Sequence, residues 1–144
     1  MKRYISSADE FDCHPDIAFG DAPARCQAAK FTRSRALQEV YLYDPDPTVR
    51  QDLAFNSHLP YDIAKTLSED SDFVVRGAVA GSANTPTSIL EELAKDENST
   101  VRAYAASNWN APASLLDVLA QDPDKRVRAT AMRNPNFGEY PTAE

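Results

Sequence analysis

The chain has 144 residues, 15 Lys+Arg against 22 Asp+Glu, a formal net charge of −7 and 42% hydrophobic residues. That suits one domain of ordinary globular composition, and the acidic balance (pI ≈ 4.8) opposes general binding to a phosphate backbone, which needs clustered Lys and Arg. Gly20, Gly77, Gly81 and Gly138 form no phosphate-cradling loop, no apolar run is long enough for a membrane span, and Cys13 and Cys26 make no disulfide framework.

In chain order, Met1–Glu10 has basic residues with no apolar stretch behind them. No secretion signal and a cytoplasmic location are therefore expected. Residues 1–20 read as an irregular N-terminal cap, with His14-Pro15-Asp16-Ile17-Ala18 as the remnant of a first helix. Residues 21–46 read as a degenerate copy of a repeat that becomes clear farther on. Asp21, Ala24, Arg25, Ala28 and Ala29 match its columns with one residue missing, and Leu37 and Asp44 rejoin the register.

The repeat is plain from Asp44 onwards. Val-Arg recurs every 26 residues, at Val49-Arg50, Val75-Arg76, Val101-Arg102 and Val127-Arg128. Asp44, Asp70, Asp96 and Asp122 precede it in step, as do Asp46, Asp72, Asn98 and Asp124; Leu53, Val79, Ala105 and Ala131 follow it. Pro60, Pro86 and Pro112 form a further column, with Gly138 in that place in the last copy. The copies span 47–72, 73–98 and 99–124, with a partial copy at 125–137 and a tail at 138–144.

Each copy predicts two short helices. The first starts at proline, over Pro60–Leu67, Pro86–Ala94 and Pro112–Ala120, because the missing N–H has no partner in a first helical turn. Thr85 is the good N-cap there, Leu59 and Ala111 poor ones. The second helix starts after Asp46, Asp72, Asn98 or Asp124, all strong cap types. Its valine and the apolar residue four later share one face. Asn56, Asn108 and Asn134 stand where it would end, asparagine tolerating a left-handed turn. Helices this short are marginal alone and must bury their stripes against neighbours. The expected fold is all-α, a short α-solenoid of tandem 26-residue two-helix repeats.

Asn108-Trp109-Asn110-Ala111-Pro112 with Leu115-Leu116, Leu119-Ala120, Asp122, Asp124 and Val127-Arg128 resembles the leucine-rich repeat variant family. So does Asn84-Thr85-Pro86 with Ile89-Leu90, Leu93-Ala94, Asp96 and Val101-Arg102. The second helix also looks like half of a HEAT repeat, whose unit is longer, about 40–47 residues. The resemblance covers residues 44–137 well and 21–43 weakly. It implies short helices wound into a superhelix and partner binding as the default role. The family's founding member carries a cysteine-rich iron–sulphur segment. Two cysteines cannot supply four thiolates, so no cofactor is carried over.

The Arg50, Arg76, Arg102 and Arg128 column reads as a ladder with the aspartates or with loop carbonyls, in preference to a phosphate-binding stripe. Cys13-His14, Cys26 and His58 match no tight zinc pattern. Neither His14 nor His58 sits in a catalytic motif, and the carboxylates follow the capping columns, so no enzyme is expected. Partner-binding candidates lie where the repeats disagree: Asp52, Phe55, Tyr104, Trp109, Arg126 and Arg133, among them residue types that anchor interfaces. The alternative use of Tyr104 and Trp109 is packing on neighbouring repeats. The expected function is a non-catalytic protein–protein interaction module, a small acidic α-solenoid acting as an adaptor or as inhibitor of a basic protein. A HEAT-like nucleic-acid-binding protein is the second reading. A metal-binding redox protein built on Cys13, His14 and Cys26 is the third.

Overall fold

A computed structural model of the protein describes residues 19–139. The expectations for an irregular cap before Phe19, for a helix remnant at His14–Ala18, for Cys13 and for the last five residues lie outside the described residues. Among the described residues are nine α-helices and no strand: α1 (Ala22–Phe31), α2 (Arg35–Leu42), α3 (Pro47–Ala54), α4 (Tyr61–Ser68), α5 (Phe73–Gly81), α6 (Thr87–Leu93), α7 (Ser99–Ser107), α8 (Ala113–Leu119) and α9 (Lys125–Arg133).

The odd and even helices start differently. Helices α3, α5, α7 and α9 are capped by Asp46, Asp72, Asn98 and Asp124, whose side chains accept from the N–H groups of Thr48, Val74, Thr100 and Arg126 at 2.8 Å. Asp21 caps α1 through Ala24 N–H. The even helices begin one residue later than proline spacing predicts. Pro60, Pro86 and Pro112 are themselves the caps, with extended ψ of 151°, 149° and 157°. A fixed φ near −65° suits a cap as well as a first turn. Their carbonyls accept the first helical bonds, from Ala64, Leu90 and Leu116. In α2 Ser34 takes the proline's place and caps with its hydroxyl. Thr85 is not a cap. It precedes the cap residue, is buried, and its hydroxyl donates to the Val79 carbonyl.

Helix ends also depart from expectation. Asn108 and Asn134 have φ of −69° and −65°, and no described non-glycine residue is left-handed. The asparagines instead tie successive units together. Asn108 Nδ2 donates to the carbonyls of Ala80 and Ser82 at 2.7 and 2.8 Å. Asn134 does the same to Ala106 and Asn108, and Asn56 to Ala29 and Thr32. Each Oδ1 accepts the N–H two residues on, at His58, Asn110 and Asn136. All three asparagines are buried, where an unpaired amide is costly.

A second ladder runs through the arginines. Nε and Nη2 of Arg25, Arg50, Arg76 and Arg102 grip both oxygens of Asp44, Asp70, Asp96 and Asp122, with Nε–Oδ2 distances of 2.7–2.8 Å. Nη1 donates to the carbonyls of Gly20, Asp44, Asp70 and Asp96 respectively, and Arg128 Nη1 to that of Asp122. Each carboxylate also accepts the N–H two residues on. The Arg25–Asp44 pair places Arg25 in the arginine column despite its unit's missing residue. Of the arginines that a phosphate-binding stripe would need, Arg50, Arg76 and Arg102 are thus turned onto carboxylates and Arg128 onto the backbone carbonyls of Asp122 and Pro123.

Helices α1, α3, α5, α7 and α9 pack in succession, and each even helix packs against the odd helices on either side of it. The buried stripe is the predicted one: Val49 and Leu53, Val75 and Val79, Val101 and Ala105, Val127 and Ala131. The even helices add Ile63 and Leu67, then Ile89, Leu90 and Leu93, then Leu116 and Leu119.

Ser82 interrupts the asparagine column. It is buried beside a cavity of about 70 Å³ lined by Ala54, Asn56 and Thr85 among others. One unit back from the Asn108 acceptors stand the carbonyls of Ala54 and Asn56. Ser82→Asn should fill the cavity, make both bonds and raise stability by about 1 kcal/mol, read as a higher urea midpoint. An unchanged or lower midpoint would show that the asparagine site is not equivalent from unit to unit.

Candidate partner-binding groove

The odd helices present one face away from the even helices, and the columns that differ between repeats occupy it. Its main feature is a groove of about 340 Å³ across three successive helices. From α3 and its end come Gln51 and Phe55; from α5 Phe73, Val74, Gly77, Ala78 and Gly81; from α7 Thr100, Tyr104 and Ser107. No lining residue is charged. Phe55, Phe73, Val74 and Tyr104 are each 40–49% exposed, so they contribute little to the core and stand open to solvent.

Glycine gives the Tyr104 wall of the groove its seat. Glycine inside a helix is destabilising by about 0.5–1 kcal/mol relative to alanine, yet α5 carries Gly77 in mid-helix and Gly81 at its end. The Tyr104 ring leans into the vacated space. A Cβ on Gly77 would lie 3.1 Å from Tyr104 Cδ2, and one on Gly81 3.4 Å from Cδ1. Tyr104 therefore packs on the preceding unit with one side of its ring and faces solvent with the other.

Of the six candidates, the structure brings Phe55 and Tyr104 together in this groove. Asp52, on α3, is half-buried and accepts a hydrogen bond from the Cys26 thiol; burial and then this carboxylate push that thiol up to about 11. Trp109 follows α7 in a loop, 80% exposed, which rules out burial against the next unit. Only its carbonyl is engaged, by Asn136. Arg126 is turned onto Asp124 and Ser99, and hydrogen bonds from Arg126 hold the Asp124 carboxyl well below the usual carboxylate range. Arg133 ends α9 and is exposed. Sequence reasoning passed over Phe73 and Gly77, and from the variable column of Val74 it chose Arg126 instead; two glycines in one helix of a glycine-poor chain were the available sign.

The charge on this face is uneven. Helix α9 carries Lys125, Arg126, Arg128 and Arg133 with no acidic residue, in a chain of net charge −7. Cys26 and His58 belong to no group of three or more His, Cys, Asp or Glu arranged to hold a metal among the described residues. No described helix is long and apolar enough to cross a membrane. Comparison with protein-family models, with curated proteins and with solved structures gives no match.

Proposed function

We propose that the protein is a non-catalytic protein–protein interaction module, a short α-solenoid of tandem 26-residue two-helix units resembling the leucine-rich repeat variant family. It holds a protein partner on the odd-helix face, as an adaptor or an inhibitor. The observation that carries this reading is the groove: uncharged, walled by half-exposed aromatic residues, with Tyr104 seated on helical glycines that weaken the helix they stand in. Concave apolar sites with a few polar groups are the usual form of binding sites, and aromatic anchors supply much of interface energy. Two ladders repeating from unit to unit support the solenoid, and they leave the outer face free to vary.

Val74→Glu tests the function, since it puts a charge on an exposed position inside the groove. Affinity purification from the native host should recover a stoichiometric protein partner with the unaltered chain. The variant should lose it while keeping its helical circular dichroism and melting temperature. Equal recovery with both chains would remove the groove from the function.

A further inference from the structure

We infer that the groove seats one bulky apolar side chain of an extended acidic peptide segment, which runs on towards α9 and places a carboxylate there beside Arg133 and Lys125. The inference rests on the reading of this face as a partner surface and names the chemistry of what binds.

The size of the groove sets the first part. About 340 Å³ takes a single large side chain with its adjoining backbone. A helix with its side chains is about 10–12 Å across, so about 340 Å³ would enclose less than one turn of it, and an extended segment fits better. The lining sets the second. Only Gln51, Thr100, Ser107 and the Tyr104 hydroxyl are polar, and none is charged, so the seated group is apolar.

Charge sets the direction. Helix α9 packs against α7, which makes it the next step along the face beyond Tyr104 and Ser107. Arg133 occupies the repeat position that Ser107 holds one unit earlier, and Lys125 the position of Phe73 two units earlier. Both are exposed, and neither forms an ion pair among the described residues. Arg126 is neutralised by Asp124. At the opposite end Asp52 would repel a carboxylate. Adjacent helix axes lie about 8–10 Å apart and an extended chain advances about 3.3–3.6 Å per residue, so the carboxylate falls three or four residues from the apolar anchor.

The test is selection from a library of short random peptides by the full chain, followed by calorimetry on the enriched sequences. Enriched peptides should pair Phe, Trp, Leu or Met with Asp or Glu three or four residues away. Changing that acid to Lys should weaken binding about tenfold. Arg133→Glu, an exposed substitution, should reverse the preference, so that Lys peptides bind better than Glu peptides. Apolar enrichment without a charge preference, an unreversed preference with Arg133→Glu, helical spacing of the anchors, or no enrichment would each overturn the inference. Loss of the native partner with Val74→Glu, together with full retention by Arg133→Glu, would sink the acidic segment and leave the binding module standing. Retention by both would sink the module itself.

Discussion

Asn108→Asp should destabilise the protein by about 4 kcal/mol, a large effect for a near-isosteric change. Asn108 is 4% exposed and its Nδ2 donates to two carbonyls, those of Ala80 and Ser82. The substitution puts a carboxylate oxygen where the nitrogen was, facing two other acceptors at hydrogen-bond distance. Two bonds are lost and a charge is buried against oxygen lone pairs. Asn108→Ala should cost less, about 2–3 kcal/mol, because it strips the Asn108 donor from the Ala80 and Ser82 carbonyls, the latter keeping the Thr85 N–H, and leaves the Asn110 N–H without its acceptor, but buries no charge. The carboxyl can escape by taking up a proton, so its pKa in the folded protein must be raised. A raised folded value makes the penalty largest at high pH and smaller as pH falls below it. Urea titrations at pH 8 and pH 4 should therefore show the Asn108→Asp deficit shrinking in acid, while the Asn108→Ala deficit stays level.

Arg76→Met should cost about 3 kcal/mol. The substitution keeps an unbranched apolar stem but removes the two bonds to Asp96 and the bond to the Asp70 carbonyl. Its partner side chain is only 8% exposed, and breaking a pair at such a site leaves a carboxylate poorly solvated and unpaired. Burial pushes the Asp96 carboxyl up, but the Arg76 guanidinium and the Asn98 N–H outweigh it and hold the group below its ordinary 3.8. Arg102 lowers Asp122 in the same way, against burial. Both groups have depressed folded values, so their stabilisation is complete above the ordinary carboxylate range and is lost as pH falls through the folded values. The urea midpoint of the unaltered protein should fall steadily below about pH 4. In Arg76→Met that acid-dependent loss should be smaller, since part of it has already been taken. A midpoint unchanged by Arg76→Met would mean that the arginine ladder contributes little.

The columns that recur in step made the helices legible, because buried positions and caps answer to local rules that every copy obeys. Val75 and Val79 read as core from their spacing, and Asp72 as a cap from its type. The arginine–aspartate pairing was legible because both columns repeat together. The start of α6 was displaced by one residue, since a proline ring sets φ alike for a cap and a first turn. The asparagine column was visible but its work was not. Spacing shows where a helix ends, whereas Asn108 acts on carbonyls 26 and 28 residues away. The groove was half legible for a related reason. Phe55 and Tyr104 stood out as departures from the repeat, but their meeting over Gly77 and Gly81 depends on α3, α5 and α7 packing in succession.

Distances between spin labels test the tandem stack most directly. Ser57, Ala83, Trp109 and Pro135 occupy one exposed loop column, and Cys can replace them once Cys13 and Cys26 are substituted. With a step of about 10 Å per unit, the 57–109 and 83–135 pairs should give equal distances near 20 Å and the 57–135 pair about half as much again. Unequal distances for the first two pairs, or a 57–135 distance no longer than either, would contradict a stack of equivalent units.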